Sequence, residues 1–282
     1  MTDQIEANSD LTANPSLTTA TTPSADGTAI GYYRLGTGSP IVLVHGSISV
    51  ADSWLAVAGE LATGHTVYVL DRRGRGMTGD ADTYSLSTEA ADIKAVLAVA
   101  QQDTGIRPAL LGHSYGAICT LEAVRSGADV AALVLYEPPL PVERPVAGDQ
   151  LAPYADAIAA GDHDRAMRIA AEHFLRISPE ETEGLAATPL WDTFLALTPT
   201  WTRELAEIDT SAAVMDQYAA LDLPILLLVG ELSPGHLVGA SEYLEAGLPD
   251  SAKVVFAGQN HFANLTAPTE VAQAITTFLQ QH

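Results

Sequence analysis

The sequence predicts an α/β fold: a mostly parallel sheet with helices on both faces and a helical segment inserted late in the chain. Three observations carry that expectation. Short β-rich runs alternate with amphipathic helical stretches. A Gly-x-Ser-x-Gly turn links one such run to an apolar helix. The alternation breaks once, between about residues 141 and 220, where only helical spacing appears.

The β-rich runs fall at residues 41–44, 66–70, 109–111, 130–136, 224–229 and 253–256. Residues 28–34 follow the Asp26-Gly27 turn signal and read as an antiparallel edge strand. Between the runs, Ile93, Val96, Leu97 and Ala100 keep helical spacing, with Ser87 expected as the N-cap. Val271, Ala274, Ile275 and Phe278 form a closing helix that Pro268 opens. In the insertion, Ala166, Ile169, Ala170, His173 and Phe174 repeat on one helical face, and Trp191, Phe194 and Trp201 come next.

The expected organisation is therefore a flexible tail over 1–20, a first core segment over 21–140, a helical lid over 141–220 and a second core segment over 221–282. The lid falls between the sixth and seventh strands.

Composition bounds the function. The chain has 282 residues, 47% apolar and 17% charged, which is globular rather than disordered. Thirty-five acidic residues against 13 basic ones give a formal charge of −22. Such a surface repels phosphate backbones and anionic lipid, so neither nucleic acid nor membrane is an expected partner. A small-molecule substrate is expected, and self-association is left open. Cys119 is the single cysteine, which rules out an internal disulfide and fits a small core residue. The start of the chain lacks a basic, apolar leader, and a cytoplasmic location is expected.

The sharpest motif is Gly112-His113-Ser114-Tyr115-Gly116, set between a strand pattern and an apolar helix. A turn this tight needs small flanking residues, and it presents the serine hydroxyl at the end of the sheet. With this motif and its context, the chain resembles the α/β-hydrolase superfamily from about residue 23 onward. His45-Gly46 after the first run is similar to the family's oxyanion turn. Asp71-Arg72-Arg73-Gly74-Arg75-Gly76 is similar to a loop found in many members. That loop lacks the third glycine and the Lys-Ser/Thr of a phosphate cradle, so it reads as a structural turn.

The resemblance implies roles. Ser114 would be the nucleophile, and the backbone amides of Ser47 and Tyr115 would form the oxyanion hole. His261, in Gly258-Gln259-Asn260-His261-Phe262 before the closing helix, would be the base. His113 sits in the elbow, His163 and His173 in the insertion, His236 at the start of a surface helix, and His65 and His282 in solvent.

The acid departs from the usual pattern. Its ordinary position after the seventh strand holds Ser233, a neutral hydroxyl that cannot stabilise an imidazolium as a carboxylate does. Two carboxylates compete. Glu231 is near in sequence, at a spot where relatives often carry a non-catalytic glutamate. Glu137 ends the sixth apolar run, where a buried charge needs a partner. Certain haloalkane dehalogenases and zearalenone-type lactonases place their acid after that strand, which favours Glu137.

A serine nucleophile argues against the aspartate chemistry of dehalogenases and epoxide hydrolases. No metal or other cofactor is expected, since the histidines and carboxylates show no ligand spacing. The expected reaction is cleavage of a neutral hydrophobic ester or lactone through an acyl-enzyme. Trp191, Phe194 and Trp201 either contact that substrate or pack the lid onto the core. Carbon–carbon bond hydrolysis, cofactor-free oxygenation and small-molecule reception on the same scaffold are the alternatives.

Overall fold

The computed structural model describes residues 17–282. Eight strands form one sheet: β1 Thr18–Pro23, β2 Ala29–Gly36, β3 Ser39–Val44, β4 His65–Leu70, β5 Ala109–His113, β6 Leu133–Tyr136, β7 Ile225–Gly230 and β8 Ser251–Phe256. Their order across the sheet is β1-β2-β4-β3-β5-β6-β7-β8. The pairs β1–β2 and β2–β4 are antiparallel, and every later pair is parallel.

The central strands are buried on both faces and alternate between two cores. Val42, Leu110, Leu135 and Leu227 enter one, while Leu43, Leu111, Val134 and Leu226 enter the other. Helices cover both sides. α1 Leu55–Leu61 and the closing helix lie on one face, and α2 Leu86–Thr104 and α3 Tyr115–Arg125 on the opposite face.

Between β6 and β7 an irregular stretch over 137–147 is followed by helices as the regular elements: α4 Leu151–Ala159, α5 His163–Ala170, α6 Pro179–Ala186 and α7 Leu190–Thr210, then short turns. Tyr154, Phe174 and Trp201 pack edge-to-face there with ring centroids 5.5–6.1 Å apart. α7 tolerates Pro199 within it. The missing N–H would leave the Leu195 carbonyl without its helical donor, and the Thr198 hydroxyl donates to it at 2.8 Å. α8 Gly235–Gly247 and α9 Pro268–Leu279 complete the fold, with Pro268 at the start of α9 as expected.

Three sequence expectations are corrected. β2 is not the edge strand, because β1 pairs outside it. β1 begins at Thr18, inside the expected tail, and its exposed threonines carry no apolar alternation to announce it; residues 1–16 of that tail lie outside the described residues. The N-cap of α2 is Ser85 rather than Ser87. Its hydroxyl accepts the Thr88 N–H, and the Thr88 hydroxyl in turn accepts the Ser85 N–H.

No helix among the described residues is long and apolar enough to cross a membrane.

Candidate active site

Strand register brings the site together. His113 of β5 pairs with Tyr136 of β6, so Ser114 and Glu137 each come one residue past the same end of neighbouring strands. Both leave their strand through a left-handed backbone, Ser114 at φ 54° and Glu137 at φ 46°. Such angles are uncommon outside glycine and store local strain.

The glycines around Ser114 fit because nothing larger would. A Cβ on Gly112 would stand 2.5 Å from Ala117 Cα, and one on Gly116 only 2.4 Å from the His45 carbonyl oxygen. One on Gly46 would stand 2.8 Å from Ser114 Cβ. The elbow and the His45-Gly46 turn are thus in backbone contact. As the first residue of α3, Tyr115 has an N–H with no intrahelical acceptor. Ile48, just after Ser47 in the facing loop, is also left-handed, at φ 43°.

His45 orders that loop. Its Nδ1 bonds the Gly46 carbonyl at 2.8 Å and its Nε2 accepts the Arg72 N–H at 3.1 Å, which assigns the proton to Nδ1. Burial, reinforced by Arg72 and Arg75, holds this imidazole far below its ordinary pKa and therefore neutral. The Asp71 loop is structural, as expected: its carboxylate accepts the Ala51 and Met77 N–H groups, and a Cβ on Gly76 would strike that carboxylate.

His261 and Glu137 meet directly. Glu137 Oε2 lies 2.5 Å from His261 Nδ1, and Oε1 accepts the Gly230 N–H at 2.7 Å. Glu137 has no solvent exposure, so these two contacts answer the question its buried charge raises. The loop that carries His261 is pinned from the sheet. His113 Nε2 bonds the His261 carbonyl at 3.0 Å, and the Tyr136 hydroxyl donates to the Asn260 carbonyl at 2.6 Å. Burial and the neighbouring His261 keep the His113 pKa well below its usual value. Glu231 is exposed and instead accepts the Gly258 N–H at 2.7 Å.

One cavity contains Ser114, His261 and Ser47, walled by Pro139, Val146, Phe174, Leu175, Trp201, Leu205, Ile208, His236 and Leu237. Ser114 and His261 share it without a direct hydrogen bond, a looseness common before substrate seats the nucleophile. Trp201 is thus brought to the site. Trp191 and Phe194 are not: both are buried in the insertion, where the Trp191 indole donates to Asp164 at 3.1 Å and Arg168 lies over its ring.

Sequence reasoning missed two features. His236 lines the cavity although the start of α8 reads as surface. A buried ion cluster also ties the insertion to the sheet. Glu204 of α7 meets Arg72 at 3.0 Å and contacts Arg75, while Arg72 also binds Glu89 at 2.7 Å and the Gly46 carbonyl at 3.1 Å. Burial alone would raise the Glu204 pKa, but Arg72 and Arg75 outweigh it and hold the carboxyl below its ordinary value. The clue was present: Glu204 sits on the Trp201, Leu205, Ile208 face, a charge at an inward helical position. No group of three or more His, Cys, Asp or Glu suited to a metal occurs among the described residues.

A nucleophile-elbow serine at the end of a parallel sheet, facing a histidine backed by a carboxylate, defines a class of hydrolase. The chain belongs to the α/β-hydrolase family, whose model matches residues 41–274, and is a hydrolase. N-formylmaleamate deformylase of Pseudomonas putida is 39% identical over 121 residues, a match spanning 42% of this chain and 44% of that protein. An alpha/beta hydrolase from Sphaerobacter thermophilus superposes with a TM-score of 0.83 at 28% identity, covering 92% of this chain and all of the other. Esterase RhEst1 from Rhodococcus sp. gives 0.72 at 25% identity, covering 94% and 98%.

Proposed function

We propose that the chain cleaves a carboxylic ester or lactone by acyl transfer to Ser114, with His261 as base, Glu137 as acid, and the insertion over 141–220 as a lid that selects substrate. The observation that carries this reading is the 2.5 Å contact between Glu137 and His261 in the loop that shares a cavity with Ser114. With Nδ1–H held by the carboxylate, Nε2 is free to take the Ser114 proton. The Ser114 oxygen then attacks the carbonyl, and the developing oxyanion is received by the Ser47 and Tyr115 amides. Protonated His261, stabilised by Glu137, passes its proton to the leaving alkoxide. Water, activated by the same imidazole, releases the acid and restores Ser114.

The wall beside Ser114 is mainly apolar, with Val146, Leu205, Ile208 and Leu237, which suits a hydrophobic group next to the scissile carbonyl. The esterase and deformylase among the similar proteins both carry names of hydrolytic enzymes, in keeping with acyl transfer to water.

A fluorophosphonate tests the reading. One covalent label on Ser114, with loss of p-nitrophenyl ester turnover in parallel, is the expected result. Full esterase activity in folded protein whose Ser114 is unlabelled would overturn it.

A further inference from the structure

Beside the Ser114 cavity lies a second one that shares Val146 and His236 with it, so the two are adjoining compartments. Arg144 and Arg176 both line this outer compartment. In a chain of charge −22 that placement needs a reason. Among the described residues, every arginine except Arg144, Arg165 and Arg176 lies within ion-pair distance of a carboxylate. Two of the three exceptions are thus gathered in one compartment.

The nearby carboxylates do not neutralise them directly. Glu143 and Glu242 are exposed at the same compartment, and neither reaches ion-pair distance of either guanidinium. Asp209, the other acid near Arg176, is engaged by the Val146, Ala147 and Gly148 N–H groups at 2.6, 3.3 and 2.9 Å. Among the described residues, the Arg176 guanidinium makes one hydrogen bond, a 3.4 Å contact to the His173 carbonyl. Burial and the like charge of Arg144 push the Arg176 pKa below its ordinary value, and an anion between the two would relieve that repulsion.

Backbone geometry also fixes the start of one of these two side chains. Only four non-glycine residues among those described have positive φ: Ile48, Ser114, Glu137 and Arg176. Three of them belong to the oxyanion loop, the nucleophile and the acid. The fourth, at φ 56°, is the arginine in the outer compartment. At Arg176 the left-handed backbone ends the helical turn Ala171–Leu175, with its N–H bonded to the Ala171 carbonyl, and so sets where the guanidinium leaves the chain.

We propose that Arg144 and Arg176 form a carboxylate-binding subsite, so that the preferred substrate is an ester bearing a carboxylate at the end remote from the scissile carbonyl. This rests on the proposed ester cleavage for the scissile end and replaces a wholly neutral substrate with one apolar near Ser114 and anionic beyond His236. Two guanidinium groups suit a planar carboxylate through charge-assisted, paired hydrogen bonds.

The test pairs a binding measurement with a kinetic one. Glutarate is titrated calorimetrically at low salt into the wild type and into Arg144→Gln, Arg176→Gln and Arg165→Gln. The last removes the third unpaired arginine, which lies outside both compartments. Each of the first two substitutions is expected to weaken glutarate binding about tenfold or more, and Arg165→Gln to leave it unchanged. The p-nitrophenyl monoester of glutaric acid should also be preferred over p-nitrophenyl butyrate by the wild type, and that preference should fall by a similar factor through KM. No glutarate binding, or equal affinity in all four proteins, would overturn the subsite. Glutarate binding that depends on Arg144 and Arg176, in protein that hydrolyses neither ester, would uphold the subsite and remove the proposed ester-cleaving reading instead.

Discussion

Glu137 and His261 stand 124 residues apart in the chain and 2.5 Å apart through Oε2 and Nδ1. The second Glu137 oxygen is fixed by the Gly230 N–H at 2.7 Å, so the carboxylate bridges the end of β7 and the histidine loop. Glu137→Gln keeps the shape but removes the charge and permits the wrong imidazole tautomer. The expected result is a fall in kcat of about 10³–10⁴ with little change in KM. Glu231→Gln, which touches only the Gly258 turn, should keep kcat within about threefold. Steady-state kinetics of both variants decide the point, and the reverse outcome would move the acid to Glu231.

Gly116 tests the contact between the elbow and the oxyanion loop. A Cβ there meets the His45 and Val44 carbonyl oxygens at 2.4 and 2.6 Å, and backbone cannot swing aside. Gly116→Ala should part the Tyr115 and Ser47 amides and lower kcat roughly 10²-fold. Gly184 on α6 is the control, having open space around it. Gly184→Ala should leave kcat unchanged and add about 0.5–1 kcal/mol of stability by urea unfolding.

Removing the Glu204 charge strands Arg75, whose one ion pair is with that carboxylate, while Arg72 keeps Glu89. Glu204→Gln should therefore cost about 3–5 kcal/mol in urea unfolding, as expected when one member of a fully buried cluster is lost. A loss below about 1 kcal/mol would mean that the cluster contributes little to holding the insertion on the sheet.

Acid sensitivity follows from three histidines. Burial lowers His45 and His113 far below their ordinary value of 6.5, and burial, then Arg176 and His261, brings His236 to about 3. Between about pH 6.5 and 3 the unfolded chain binds protons on these residues that the folded chain refuses. Stability therefore falls as pH drops below about 6.5. The urea midpoint should be lower at pH 5 than at pH 7, and His236→Gln should shrink that difference. An identical difference in the variant would show that His236 contributes nothing to it.

Much of this arrangement was legible in the sequence, and the exceptions have physical reasons. Ser114 and Glu137 announce themselves because each closes an apolar run with a residue that does not belong in one. Strand β1 was invisible because its exposed threonines have no buried face to write an alternation. Ser85 and Ser87 are equally good caps by type, and only the reciprocal bonds with Thr88 choose between them. Trp191, Phe194 and Trp201 were expected either to contact substrate or to pack the insertion, and all three are buried. Periodicity does not say whether an inward position meets packed side chains, as for the first two, or a cavity, as for Trp201. Arg144 and Arg176 lie in irregular segments that carry no period, and their convergence exists only in three dimensions.

The Glu204 cluster also bears on traffic to Ser114. Lifting the Trp201–Glu204 part of α7 would strip two guanidinium groups of their shared counterion, and burial gives those groups no water to fall back on. That stretch of the insertion is fastened to the sheet. Around Val146 and His236, which line both compartments, no ion pair among the described residues fastens the wall, and under the proposed subsite a substrate would meet Arg144 and Arg176 on that side. On that proposal, the side of the site that buried charge does not fasten is also the side that would sort substrates by their charge.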